Sequence, residues 1–320
     1  MTMSRLRLLP LALSLLLLAS GERAEGTCGV WEYTPQYTPV RCNACPGEEC
    51  PTVECLEHGG LQRCWRKFVP NRLSSPVRVV FDMHGHSQNM DHIETMSGWR
   101  RVAEAEGLVV VWPQGTDFSW NAGGVCCPPA NIKQIDDVGF LRRVAENVSA
   151  THGVELNRHV YWGGYSNGCA MAQRMAREAN DIVAAVGCHA MYLTWTEEQA
   201  QQHSTAAQYA DKPVPVITVH GTLDLVVGYR DWYGFNATDN LERWARLNEC
   251  PTPTAWRRVK ITPALKFRQD SDRRVLVSSH TGCKDGTEAA LVTLPGVGHA
   301  PFLALETPLF DTTQVRWRPS

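Results

Sequence analysis

Apolar residues along this chain come in short unbroken runs rather than in alternation. VRVVFDM (Val77–Met83), LVVVW (Leu108–Trp112), HVYWGG (His159–Gly164), IVAAVG (Ile182–Gly187), VPVITVH (Val214–His220) and ALVTLP (Ala290–Pro295) are apolar on both faces of an extended strand. Such strands suit a covered, mostly parallel sheet rather than one with a wet side. Between them the apolar period lengthens. From Asp136 to Val148, the residues Val138, Leu141, Val144, Ala145 and Val148 recur three and four apart, and Asn167–Arg177 and Asp239–Asn248 read the same way. Each is one stripe of a helix. This alternation predicts an α/β fold with helices on both faces of the sheet, and no internal repeat or low-complexity tract interrupts it.

The beginning of the chain departs from that pattern. MTMSRLRLLPLALSLLLLASG carries two arginines, a leucine-rich run and small residues at Ala19 and Gly21, the layout of a cleavable secretory signal. A membrane span needs about 20 apolar residues, and the run from Leu6 to Leu18 is shorter. Six cysteines follow within a Pro-, Gly- and Glu-rich stretch: Cys28, Cys42, Cys45, Cys50, Cys55 and Cys64. CNAC (Cys42–Cys45) has the spacing of a zinc or thioredoxin-like motif, but it lacks a second paired motif and a strand-helix frame, so structural disulfides are the expectation. The expected division is a signal peptide over 1–21, a cysteine-rich segment over 22–57 and a catalytic domain over 58–320.

Composition agrees with export. All twelve cysteines lie beyond the leader, which suits an oxidising compartment and a secreted, extracellular protein. Two glycosylation sequons begin at Asn147 and Asn236. The formal net charge is −2, without a long basic run. Nucleic acid is therefore not an expected partner, nor is stable membrane insertion expected after signal cleavage.

The chemistry centres on GYSNG (Gly164–Gly168), which lies between a buried run and a helical stripe. In that context the G-x-S-x-G pattern is a sharp turn that holds Ser166 out at the carboxyl edge of the sheet. A serine hydroxyl needs a histidine to take its proton, and the histidine needs an acid to fix its tautomer. The acid should come next in the chain and the base last. VITVHGTLD delivers Asp224, with Asp231 and Asp211 as rivals, and LVTLPGVGHAPF delivers His299. His280 is a rival base, but it precedes the last strand and so falls at the wrong end of the sheet. FDMHGHSQN resembles the loop that supplies one oxyanion N–H, so the backbone of His86 and that of Asn167 are the expected oxyanion donors. The same loop offers His84, His86, Asp91 and His92 as an approximate binuclear metal motif, with four residues between His86 and Asp91 where that motif has one. Trp120 and Asn121 either line the cleft or pack beneath it.

Taken together, HGHSQN, SGWRRVAEAEGLVVVWPQGT, SWNAGGVCC, DDVGFLRRV, VYWGGYSNGCAMAQRMA, VHGTLDLVVGY and PGVGHAP resemble secreted α/β-hydrolase esterases of the polyhydroxybutyrate depolymerase and feruloyl esterase type. The resemblance runs from about Leu61 to Pro301. It implies an α/β-hydrolase fold, a triad of Ser166, Asp224 and His299, and a bridge between Cys250 and Cys283. GHAPF replaces the family's frequent tryptophan and glycine after the histidine, and Gly228 stands where many members have proline, which loosens any transfer of substrate preference. The adjacent Cys126 and Cys127 are not expected to pair with each other, and Cys169 and Cys188 are their candidate partners.

The expected function is a secreted serine carboxylic ester hydrolase that forms an acyl-enzyme and needs neither metal nor organic cofactor. Its substrate would be an ester, whether polysaccharide-linked, polyester or small. The alternatives are a catalytically silent binding protein on the same fold and a metal-dependent hydrolase. A complete triad argues for the enzyme.

Overall fold

Ten strands hydrogen-bond into one sheet in the computed structural model, which describes residues 31–33, 39–42, 52–194, 212–251, 255–259 and 275–299. The strands of this sheet are β3 (Val53–His58), β4 (Leu61–Phe68), β5 (Val79–Met83), β6 (Val109–Pro113), β7 (Val160–Tyr165), β8 (Ala185–His189), β9 (Val216–Gly221), β10 (Ala255–Val259), β11 (Val275–His280) and β12 (Ala289–Leu294). Their order is β10-β11-β12-β9-β8-β7-β5-β6-β4-β3. Every neighbouring pair from β12 to β6 is parallel, and an antiparallel pair of strands extends each end. A separate ribbon joins β1 (Trp31–Tyr33) to β2 (Pro39–Cys42). The expected signal peptide lies outside the described residues, as do Cys28, Cys45, Cys50, Asp211 and Pro301. Among the described residues no helix is long and apolar enough to cross a membrane.

The central strands are buried on both faces because helices cover both. Successive side chains of a strand point to opposite sides, and the two packed clusters divide accordingly. Val79, Phe81, Val109, Val111 and Trp162 pack with α3 (Asp137–His152), α5 (Asn167–Glu178) and α6 (Ala237–Leu247), and the single turn α4 (Leu156–His159) leads into β7. Val80, Val110 and Trp112 pack with α1 (Met90–Ser97) and α2 (Trp99–Glu106). Phe81 and Trp162 stack across β5 and β7 with ring centroids 4.2 Å apart. Each such fully buried apolar side chain contributes about 1.5–3 kcal/mol of transfer free energy, so the unbroken runs dictate a sheet covered on both sides.

Three elements depart from the expectation. The run at Ile182–Gly187 becomes strand only at Ala185, because Asn180–Ile182 is one tight turn closed by Ile182 N–H on Ala179 O and Val183 N–H on Asn180 O. The hairpin β3-β4 belongs to the main sheet, so the boundary expected between residues 57 and 58 falls inside a strand. Cys55 and Cys64 face each other across this hairpin and are bonded. Its arginines hide it from a hydrophobicity reading, since Arg63 and Arg66 are buried yet paired: Arg63 to Asp137 at 2.6 Å, and Arg66 to Asp91 and Glu94. The third departure is β10-β11, an antiparallel extension beyond β12. Of the two sequons, Asn147 is exposed on α3, whereas Asn236 caps α6 by accepting the Asp239 N–H at 2.8 Å.

One buried carboxyl sets a pH expectation. Asp82 on β5 is 4% exposed and accepts a hydrogen bond from Trp112 Nε1 at 3.2 Å. Burial pushes its pKa up to about 7, and the hydrogen bonds offset only part of that. The folded protein therefore keeps a proton between about pH 4 and pH 7 that the unfolded chain has released, so stability falls as pH rises through that window. Asp82→Asn removes this titration. The variant is expected to gain stability over the wild type as pH goes from 5 to 8, by at most about 3 kcal/mol, read as a rising difference in melting temperature. A wild-type to variant difference that stays flat across that range would refute the expectation.

Candidate active site

Ser166 sits at the junction of β7 and α5 with φ 52° and ψ −121°, a conformation costly for any residue with a side chain. Its surroundings hold it there. The Ser166 N–H donates to His189 O at 2.8 Å, and the Ser166 carbonyl accepts from Cys169 N–H at 2.8 Å and Ala170 N–H at 3.1 Å. The flanking glycines make the corner possible. Gly164 has φ +156°, and a Cβ there would lie 2.7 Å from Met83 O; at Gly168 it would lie 2.1 Å from that same oxygen. Neither position has room for a side chain.

Asp224 and His299 come off adjacent parallel strands. β9 and β12 run in register, and the loops leaving them are tied together by Leu223 N–H to Val297 O at 2.9 Å and Gly296 N–H to Thr222 Oγ1 at 2.9 Å. The crossing is close: a Cβ on Gly221 would lie 2.2 Å from Val297 O. The result is a hydrogen-bonded line in which Asp224 Oδ2 lies 2.7 Å from His299 Nδ1, and His299 Nε2 lies 3.1 Å from Ser166 Oγ. The other carboxylate oxygen, Asp224 Oδ1, accepts from Val226 N–H at 3.0 Å and Val227 N–H at 2.7 Å. Burial alone would raise this carboxyl, but hydrogen bonds from His220, His299 and the Val227 N–H outweigh it and hold the group well below the usual carboxylate range. Asp224 is therefore an anion throughout the neutral range.

Residues that the spacing did not reveal surround this line. Tyr165, just before the serine, donates its hydroxyl to His299 O at 3.0 Å and packs its ring 5.1 Å from the imidazole. Burial, with a contribution from Asp224, pushes the Tyr165 hydroxyl pKa up, so it remains a donor. On the far side of Asp224, His220 Nε2 lies 2.8 Å from Val227 O and 3.4 Å from Asp224 Oδ2. The Tyr192 ring stacks on His220 at 4.9 Å while its hydroxyl donates to Gly228 O at 2.7 Å. The histidine of the VHGTLD segment was the available signal for this layer.

His86 lies on the loop that leaves β5, and Asn167 is the first residue of α5, directly after Ser166. Among the described residues, the backbone N–H groups of His86 and Asn167 donate to no protein acceptor. The Asn167 side chain grips the Trp120 peptide, accepting its N–H at 2.6 Å and donating to its carbonyl at 3.0 Å. Trp120 Nε1 in turn donates to His84 O at 3.0 Å. Trp120 is fully buried, and the Asn121 N–H donates to Asp137 at 2.7 Å, so both residues act as packing and anchoring groups. His84 is locked between Gly85 O at Nδ1 and the Gly115 N–H at Nε2, and burial pushes its pKa down to about 4.

The rival residues that the structure describes have other partners. His84 has both ring nitrogens on backbone groups, His86 Nε2 bonds Pro128 O at 2.8 Å, and Asp91 pairs with Arg66. The four candidate metal ligands therefore do not gather around one point, and no other set among the described residues does so. Asp231 accepts the Gly234 N–H within its own turn. His280 pairs in register with Ala289 at the start of β12, and its ring lies 3.1 Å from Glu242. The cysteines require a correction. Cys126 and Cys127 are joined to each other, and Cys169 is joined to Cys188. α5 packs directly over β8 and so brings Cys169 and Cys188 together at a Cα separation of 4.9 Å. Cys250 and Cys283 are bridged, as the family resemblance implied.

No family model matches the chain. Over 76% of its length it is 23% identical to the bifunctional acetylxylan esterase/xylanase XynS20E of Neocallimastix patriciarum, and over 69% it is 25% identical to feruloyl esterase B of Piromyces equi. The chain spans 31% and 39% of the lengths of those two proteins. Among solved structures it is similar to an acetyl xylan esterase from Aspergillus awamori, with a TM-score of 0.55 at 14% identity, covering 83% of this chain and 98% of that one. The chain therefore has the α/β-hydrolase fold, and the named proteins to which its sequence is similar are esterases.

Proposed function

We propose that this chain is a serine carboxylic ester hydrolase with Ser166 as nucleophile, His299 as general base and then acid, and Asp224 as the group that orients and charges the imidazole. The observation that carries the reading is the continuous line from Asp224 through His299 to Ser166, contributed by loops leaving β9, β12 and β7. Asp224 accepts the Nδ1 proton of His299, which leaves Nε2 with its lone pair toward Ser166 Oγ. As Oγ attacks the ester carbonyl, Nε2 takes its proton and then delivers it to the departing alcohol. Water repeats the sequence on the acyl-enzyme. The N–H groups of His86 and Asn167 receive the developing oxyanion, each worth about 10²- to 10³-fold in kcat.

The names of the relatives favour acyl groups carried on plant polysaccharide as substrate, with a polyester as the alternative that the motif resemblance supplies. Export from the cell is part of the proposal, supported by the leader sequence and by paired cysteines at Cys55–Cys64, Cys169–Cys188 and Cys250–Cys283. The test is a hydrolysis panel on the disulfide-intact protein: p-nitrophenyl acetate and butyrate, methyl ferulate, acetylated xylan and short 3-hydroxybutyrate oligomers. Turnover of an ester is expected, and the preferred member names the substrate class. A folded protein that hydrolyses none of them is a binding scaffold, and the reading falls.

A further inference from the structure

The segment between β6 and α3 touches both residues proposed as oxyanion donors. Near its start, the Trp120 peptide is gripped by the Asn167 side chain. Further along, Cys126 Sγ lies 3.7 Å from Asn167 Nδ2, and the Pro128 carbonyl lies 2.8 Å from His86 Nε2. Between those two contacts stands the bond joining Cys126 to Cys127. Cys126 is buried at 3% exposure and Cys127 is half-buried. The rest of the segment is pinned independently, by the Ala130 N–H on Ser119 Oγ at 3.1 Å and the Lys133 N–H on Pro129 O at 2.9 Å.

We propose that the Cys126–Cys127 bridge is a positioning device for the oxyanion donors, a proposal that rests on the esterase reading above. Joining neighbouring cysteines closes a small ring that includes the peptide between them and removes the free rotation of both side chains. One sulfur is thereby held against the Asn167 amide, and the chain leaves the ring with the Pro128 carbonyl directed at the His86 ring. Without the bridge, two independent thiols replace a fixed wedge, and the supports of both donors loosen together. Because those donors meet full charge only in the transition state, the loss falls on kcat rather than on KM. The bridge is also open to a dithiol reductant. One thiolate of the dithiol attacks a bridge sulfur to form a mixed disulfide and releases the other protein thiolate; its second thiolate then attacks the dithiol sulfur held in that bond, which displaces the remaining protein thiolate and closes the dithiol into its own disulfide. Two electrons and two protons pass to Cys126 and Cys127.

The experiment compares the full-length protein with a Cys126→Ser/Cys127→Ser double variant on a soluble ester, alongside inhibition by an arylboronic acid, which binds the serine as a tetrahedral adduct. The expected result is a fall in kcat of about tenfold or more, a KM within about threefold, and a loss of boronate affinity matching the loss in kcat. Should the double variant fail to fold, wild-type protein is titrated with dithiothreitol, alkylated and mapped by mass spectrometry, and kcat is read against the fraction with this bridge open and the other bridges intact. An open bridge with unchanged kcat and boronate affinity overturns the proposal. A parallel rise in KM with kcat unchanged also overturns it, because that is a substrate-binding effect. Wild-type protein without Ser166-dependent turnover is a different failure, in which the esterase reading falls and the positioning role with it.

Discussion

Ser166→Ala is expected to reduce ester turnover by roughly 10⁴- to 10⁶-fold while leaving the fold intact, since all members of a triad act as one unit. Alanine keeps the Cβ that already sits at the corner, and the backbone bonds of Ser166 to His189, Cys169 and Ala170 do not use the hydroxyl. The measurement is kcat on p-nitrophenyl acetate with circular dichroism as the control for folding, plus labelling by a fluorophosphonate. Labelling of the wild type and not of the variant is the supporting outcome. Turnover in the variant within about tenfold of the wild type would remove Ser166 from the mechanism.

The second large effect is expected from Asp224→Asn, at roughly 10³- to 10⁴-fold in kcat with little change in KM. Asparagine can keep the acceptor role of Oδ1 toward the Val226 and Val227 N–H groups. It cannot keep the role of Oδ2, because an amide N–H₂ facing His299 Nδ1 makes that nitrogen an acceptor. The proton then moves to Nε2, where it points at Ser166 Oγ and blocks the base. His220 and Tyr192 stay in place, so melting temperature should change by only a few degrees; Asp224→Ala, which leaves those N–H donors unpaired, should lose more stability than Asp224→Asn. Equal kcat in wild type and Asp224→Asn would reassign the acid.

The parts of this molecule that chemistry makes rigid are the parts its sequence announces. Strands buried on both faces must be unbroken apolar runs, so the central sheet and its covering helices can be read from Val79, Val109, Val160 and their neighbours. The elbow is legible for the same kind of reason, since only glycine fits beside Ser166 where Met83 O approaches. What escaped reading lies where polar groups are satisfied over long sequence distances. Arg63 and Arg66 look like surface residues until Asp137, Asp91 and Glu94 are found beside them. The grip of Asn167 on Trp120 joins residues far apart in the chain, and no local pattern encodes it. The pairing of Cys126 with Cys127 escaped because a rule about comfortable disulfide geometry disfavours neighbours, whereas here Cys169 and Cys188 take each other and leave no other described partner nearby.

The parallel register of β9 and β12 has a consequence for how such a protein can diverge. The acid and the base leave neighbouring strands at the same height, so their meeting depends on the two strand ends and on the loops tied by Leu223, Val297 and Thr222. Beyond Tyr229, the path between them, residues 230–288, is a detour that returns to its starting place. Insertions or deletions along that path leave the distance between Asp224 and His299 untouched so long as β12 still pairs with β9. Under the proposed mechanism, the surface that this path contributes can therefore be rebuilt without moving the proposed acid and base.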